Sequence, residues 1–278
     1  MSNKSINIKV IVDNSAAEGF VAEHGYSVFI DNGSDKVIFD CGQNEAFTYN
    51  VSRAGIELDQ ITKLVISHGH YDHTGAVKDV LSAVTNIRLY AHPNIFITRY
   101  SLHEGCEPRD ISIRENQRKL LNDLPKNQVQ LSTSSLQVSE RIYLTGEISR
   151  VNDFEDAGGP FFLDTEKRVA DLLSDDQSLC IKTDKGIVII TGCCHSGIVN
   201  TMEHVKSHFS QSIYMVIGGL HLVNAPNERI EKTIDAFRQF GIDKIIPCHC
   251  TGDNAIKLMQ SELGDIVVPG YAGMEIEL

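Results

Sequence analysis

The densest chemistry in the chain lies in six consecutive residues, His68-Gly69-His70-Tyr71-Asp72-His73. In extended backbone, side chains two apart share a face, so His68 and His70 can offer two imidazoles to one metal ion, with Gly69 leaving room between them. If the chain then turns towards a helix, Asp72 and His73 swing to a second ion, one supplying a hard oxygen and the other a borderline nitrogen. Mixed nitrogen and oxygen ligands suit two divalent ions, zinc first, with iron or manganese as alternatives. Ions held this way bring the pKa of bound water towards neutrality and polarise the bond attacked, which fits cleavage of a small ester, lactone, phosphodiester or pyrophosphate. Asp72 would hold and orient the hydroxide.

Other residues are less specific. His221 follows Gly218-Gly219, where the backbone can approach a pocket closely. Its imidazole either contacts substrate or donates a proton, or else is a histidine satisfied by structural hydrogen bonds. His92 sits at a strand end and reads as structural, while His24, His103, His204 and His208 lack ligand spacing and read as surface groups. Arg109, Arg114, Arg118 and Lys119 could meet a phosphorylated or carboxylated substrate, although a solvated helix face is the simpler account. Gly158-Gly159-Pro160-Phe161 punctuates a long loop and could form a rim to the site. Of the seven cysteines, Cys41, Cys106 and Cys180 read as small buried hydrophobes, and the clustering of the other four beside histidines is unlike a secreted disulfide framework.

Alternating strands and helices must position these groups. Strands are expected at Ile6 to Val12, Tyr26 to Asn32 and Lys36 to Asp40, with Asn32-Gly33 as a hairpin turn. A helix at 44 to 55 precedes the apolar, β-branched run Ile61 to Ser67, a buried strand whose end carries the histidines. A helical pattern after Gly75 and a strand at Ile87 to Ala91 continue the alternation. Residues 93 to 134 read as a polar helical insertion, with Ser112 and Glu115 spaced as a capping box. Further strands follow at Val138 to Thr145, Ser178 to Thr183, Ile187 to Thr191, Tyr214 to Ile217 and Lys244 to Pro247, with helices at 197 to 209 and 227 to 240. Two such halves suggest a layered α/β fold, a four-layer αββα sandwich forming one domain over 1 to 278.

The 278 residues are 42% hydrophobic and 22% charged, an ordinary globular composition with no apolar run long enough to span a membrane. The N-terminus has no signal-peptide pattern, so a cytoplasmic location is expected. A net charge of −12 argues against nucleic acid or anionic lipid as partner and favours small molecules, some of them phosphorylated.

The pattern HxHxDH after an apolar strand resembles the metal-binding motif of the metallo-β-lactamase superfamily, and Asp40-Cys41-Gly42 is similar to its turn before the first helix. More narrowly, Thr191 to Asn200, Ile217 to Leu222 and Pro247 to Gly252 resemble a branch labelled 7,8-dihydropterin-6-yl-methyl-4-(β-D-ribofuranosyl)aminobenzene 5′-phosphate synthase. The resemblance implies the αββα fold and further metal ligands from later strand ends. His195 and His249 match two of these. No histidine occurs between His103 and His195, so the usual third ligand has no counterpart at its usual place. Asp176 falls there, as a ligand, as a base supporting a ligand, or as a solvated loop carboxylate. Cys193 falls near the bridging carboxylate, where a thiolate would bind zinc, while Cys248 and Cys250 should point away from His249 in an extended strand and pack inside. The branch label implies a synthase or transferase that releases pyrophosphate; a non-catalytic, metal-containing ligand sensor is a further alternative to hydrolysis.

Overall fold

The computed structural model describes residues 5–278. Along the first half run β1 (Asn7–Val12), β2 (Ser27–Asp31), β3 (Lys36–Phe39), α1 (Ala46–Arg53), β4 (Lys63–Val65), α2 (Tyr71–Thr74), α3 (Val77–Ala83), β5 (Arg88–Ala91), β6 (Tyr100–Ser101), β7 (Arg109–Asp110), α4 (Glu115–Asn122) and β8 (Val129–Leu131). The second half contributes β9 (Leu136–Ser139), β10 (Ile142–Leu144), β11 (Phe161–Phe162), β12 (Leu179–Thr183), β13 (Gly186–Thr191), α5 (Ile198–His208), β14 (Ile213–Gly219), α6 (Asn227–Phe240), β15 (Lys244–Cys248), α7 (Asp253–Leu263) and β16 (Glu275–Glu277).

Period-two alternation explains how these elements stack, because every strand residue points to one of two faces. In β13, Val188 and Ile190 enter a core shared with Ile8, Val10, Ile30, Val37 and Phe39 of the other sheet. Ile187 and Ile189 point the opposite way, into a core formed with Ile198, Met202 and Val205 of α5 and Ile230, Ile234 and Phe237 of α6. On the far side, Ile38 and Leu64 pack against Phe47 and Val51 of α1 and Val77 and Val80 of α3. Three apolar interfaces separate four layers, the expected αββα sandwich. Strands apolar on both faces read as near-continuous hydrophobic runs.

The first sheet has the order β16-β1-β2-β3-β4-β5-β8 and the second β15-β14-β13-β12-β10-β9. The pairs β3–β4 and β4–β5 in one sheet, and β13–β14 and β14–β15 in the other, are parallel. Ligands of open α/β sheets gather beyond the carboxyl ends of such strands.

Three expectations change. The segment Val138 to Thr145 is a hairpin, β9 and β10, because Arg141 takes a left-handed φ of 65° and turns the chain. The stretch 93 to 134 holds one helix, α4, while β6 and β7 join β11 in a small third sheet and β8 extends the first. The capping box does not form: the N-cap of α4 is Arg114 without a side-chain cap, and the Ser112 hydroxyl instead accepts from the Arg99 amide at 2.9 Å. The helix 227 to 240 is found at those residues, and the hairpin at Asn32-Gly33 joins β2 to β3.

The two sheets meet tightly at Gly192, just after β13, where a Cβ would lie 2.2 Å from the Ser67 hydroxyl and 3.1 Å from an Asp40 carboxyl oxygen. Since closely packed interiors relax only in part, Gly192→Ala should cost about 1–3 kcal/mol. Urea unfolding is the check, and an unchanged midpoint would mean that Ser67 moves aside freely.

Candidate metal centre

Four strand ends converge on one cleft. The end of β4 leads through Ser67 to His68 and His70, and the single turn of α2 then presents Asp72 and His73. The other sheet supplies Cys193 and His195 after β13, His221 after β14, and His249 and Cys250 after β15. The backbone bends sharply to do this: Cys194, His221 and His249 have φ of 63°, 47° and 48°. Such left-handed conformations are costly for residues with a Cβ and cluster at functional sites.

His68, His70 and His195 form a three-imidazole group whose ligand atoms all lie within 4.8 Å of one another, with His68 Nε2 and His70 Nδ1 3.0 Å apart. Beside it, Asp72 Oδ2 lies 3.4 Å from His249 Nε2 and 3.9 Å from His73 Nε2. His73 Nε2 is 3.1 Å from the Cys193 sulfur, and Cys193, His221 and Cys250 make a further group.

Hydrogen bonds on the outer sides of the rings fix where the lone pairs point. The Ser67 hydroxyl donates to Asp40 Oδ2 at 2.6 Å, so it must accept from His68 Nδ1 at 2.9 Å. His73 Nδ1 donates to Asp40 Oδ2 at 2.7 Å, and His195 Nδ1 donates to the Ala157 carbonyl at 2.8 Å. His249 Nδ1 lies 3.0 Å from the side-chain oxygen of Asn14. In all four rings Nδ1 carries the proton, which leaves Nε2 as a bare acceptor facing the cleft. Nε2 of His195 and of His249 is buried with no hydrogen-bond partner, as is that of His70. Buried polar atoms are nearly always satisfied, so converging orphan nitrogens fit divalent cations, with the outer hydrogen bonds orienting the ligands.

Electrostatics agree with this reading. Burial, aided by neighbouring imidazoles, holds His68, His70 and His195 well below the ordinary histidine range, keeping them neutral and ready to ligate. Burial also opposes charge on His73, but Asp40 and Asp72 outweigh it and raise its pKa. Burial opposes ionisation of Asp72 as well, yet His73, His24 and His249 hold it well below the carboxylate range.

The structure relocates several residues. His24, taken for a surface group, reaches Asp72 Oδ2 at 3.1 Å from the cleft rim. No local spacing could reveal this, because His24 lies in the loop between β1 and β2 and arrives through the fold. Residues His249–Thr251 form a turn of 3-10 helix rather than extended strand, so the Cys250 sulfur faces Cys193 and His221 instead of only packing; Cys248 is buried in the inter-sheet core as expected. His195 itself lies in one group with His68 and His70. Asp176 stands outside all four groups: its Oδ2 accepts the Ser196 amide at 2.8 Å, and burial, partly offset by Ser196, pushes its pKa up to about 6. Gly69 makes room not between imidazoles but for the Ile95 carbonyl, 2.1 Å from where a Cβ would lie. Its amide is held by Asp175 at 2.8 Å, and Asp175 is in turn gripped by the buried Arg99 at 2.9 Å. His92 is structural, its Nδ1 accepting the Asn94 amide. Gly158 to Phe161 do line the cleft, a cavity of 330 Å³ that also reaches His70, His195, His221 and His249.

A four-layer sandwich with histidines and an aspartate at its strand ends defines a class, and the chain belongs to the metallo-β-lactamase superfamily, whose model matches residues 21–249. It is 31% identical over 271 residues, covering 93% of this chain and 91% of the relative, to the 7,8-dihydropterin-6-methyl-4-(beta-D-ribofuranosyl)-aminobenzene-5'-phosphate synthase of Methanocaldococcus jannaschii. An uncharacterized protein of the same organism is 32% identical over 267 residues, covering 96% and 98% of the two chains. A crystal structure described as a metal-dependent hydrolase of the β-lactamase superfamily superposes with a TM-score of 0.83 at 31% identity, covering 98% of this chain and 99% of that one. Among the described residues, no helix is long and apolar enough to cross a membrane.

Two outcomes follow from the ring orientations. Asp40→Ala should weaken metal binding by about 10–100-fold, because partners behind the ligands set ring orientation and basicity; competition with a chelator measures it, and unchanged affinity would count against the orienting role. The metal-free protein should lose stability from pH 6.5 to 5.5. There the unfolded chain protonates histidines of ordinary value 6.5 while His68, His70 and His195 stay neutral in the fold. His73 and His249, held above that value, keep their protons in the fold while the unfolded chain is still taking its own up, and Asp176 gains a proton in the fold, so these groups offset part of the loss. The net loss should be on the order of 1 kcal/mol per pH unit for each uncompensated proton, read by denaturant unfolding.

Proposed function

We propose that this chain is a dinuclear metal-dependent hydrolase of a small ester, lactone, phosphodiester or pyrophosphate. The observation that supports it most is the convergence of orphan imidazole nitrogens on one cleft. In this reading His68, His70 and His195 hold one ion, and Asp72, His73 and His249 hold the other, with zinc the leading candidate. Such ions supply a nucleophilic water near neutral pH and polarise the bond attacked.

The chain's own residues do the rest. Asp72 aligns the nucleophile, since its Oδ2 lies among three imidazole nitrogens. His221 hands a proton to the leaving oxygen, a role supported by its ring lying 4.2 Å from that of His195 and by an Nδ1 without a partner. Phe161, 5.3 Å from the His195 ring and 6.0 Å from the His221 ring, helps exclude water. The archaeal relative named as a synthase supports a second reading, in which a diphosphate leaves and a new bond forms.

Metal analysis joined to a substrate panel tests both. The reading expects about two divalent ions per chain, loss of metal and activity in His68→Ala, and hydrolysis of at least one substrate class. His221→Gln should keep the metals but lower kcat by roughly 10²–10⁴-fold. A chain that purifies without metal in chelator-free buffer defeats the proposal, and turnover seen only when a diphosphate leaves a pterin methyl group that is passed to a second substrate favours the synthase.

A further inference from the structure

Arg109, Arg114 and Arg118 line a cavity of 520 Å³ that shares Tyr71 and Arg109 with the metal cleft. We propose that this cavity is an anion subsite which binds the phosphate group of the substrate while the bond to be cleaved lies over the metal centre.

The charge pattern carries the argument. Elsewhere in this acidic chain, Arg99, Arg168, Arg229 and Arg238 each meet a carboxylate within 3.5 Å, and Arg53, Arg88 and Arg150, which meet none among the described residues, do not gather on one cavity as Arg109, Arg114 and Arg118 do. Arg109 and Arg114 meet none among the described residues. Arg118 has only Glu115 at 4.0 Å, a side chain 86% exposed, and its own Nε is buried with no partner. Asp110 also lines the cavity, but one of its oxygens is taken by the Ser112 amide at 2.9 Å. Guanidinium groups present planar forks that match phosphate oxygens, and three of them suit a dianion.

Arg109 and Arg114 are also held in place without ion pairs. The Arg109 guanidinium lies 5.0 Å over the Tyr71 ring and donates to its hydroxyl at 2.5 Å. Arg114 lies 5.8 Å over the same ring and donates to the Gln43 carbonyl at 3.1 Å and to the Asn44 side chain at 3.0 Å. The helix bearing Arg118 is latched to the α2–α3 turn, where Gln117 donates to the Gly75 carbonyl at 2.6 Å and accepts the Lys78 amide at 3.0 Å. Donors fixed beforehand lose little entropy on binding. Tyr71 is bonded directly to Asp72, so one small molecule can span the wall between the two spaces. The solvated helix face expected from sequence thus becomes a built pocket, because α2 brings Tyr71 under the guanidinium groups.

The subsite rests on the hydrolase reading only for what lies at the other end of the molecule, and its test reads binding alone. Inorganic phosphate is titrated calorimetrically into the metal-loaded chain, the Arg109→Gln variant and the Arg109→Ala/Arg118→Ala variant, with acetate as a monoanionic control. Phosphate affinity should fall roughly tenfold to a hundredfold in the double variant, the range for hydrogen bonds to charged groups, with metal content and thermal midpoint unchanged. Arg109→Gln, at an exposed position, should show part of the loss even if the double variant misfolds. Equal phosphate binding in all three proteins would place the anion on the metals and overturn the subsite. So would no phosphate binding to the wild-type chain, or acetate bound as tightly as phosphate. A chain that binds phosphate here yet hydrolyses nothing would defeat the hydrolase reading and leave the subsite standing.

Discussion

The carboxyl group of Asp40 is the interaction on which the site depends. Its Oδ1 accepts the Ser67 amide, while its Oδ2 accepts both the Ser67 hydroxyl and His73 Nδ1. One buried group thereby orients His73 directly and His68 through Ser67. These two rings lie together in one of the candidate groups, their centroids 4.2 Å apart. To serve all three donors Asp40 adopts a φ of 59° at the end of β3, a conformation that aspartate tolerates better than most residues.

Around this anchor the fold collects strain on purpose. Asp40, Cys194, His221 and His249 all take left-handed backbone at strand ends facing the cleft. Each would be cheaper elsewhere, and each persists because three apolar interfaces leave the strands no freedom to relax. The buried Arg99, paired with Asp171 and Asp175, applies the same logic from behind: Asp175 accepts the amide of Gly69 and so fixes the backbone between His68 and His70. A rigid arrangement of this kind is what metal ligation needs, since ligand atoms must meet within a few tenths of an ångström.

What could be read from local pattern was read well: the buried strand before His68, the helix 227 to 240, the hairpin at Asn32-Gly33, and the layered architecture. Each rests on a period or a turn residue that acts over a few positions. The errors have a shared cause. Arg141 carries no turn signature yet turns β9 into β10, and Ser112 and Glu115 had capping spacing, but the Ser112 hydroxyl found the Arg99 amide instead. In both cases a tertiary partner outbid a local preference.

By itself the sequence determined that three histidines and an aspartate crowd one strand end, because hydrophobic period and ligand type are local properties; that His195 and His249 join them from later strand ends was implied only by the family resemblance. Only the tertiary structure decided the grouping: that His195 completes the trio with His68 and His70, that Asp176 turns away to Ser196, that His24 and Cys250 enter the cleft, and that the arginines gather over Tyr71. Those outcomes depend on how two sheets pack through Gly192 and on backbone turns of a single residue, and neither leaves a period in the chain.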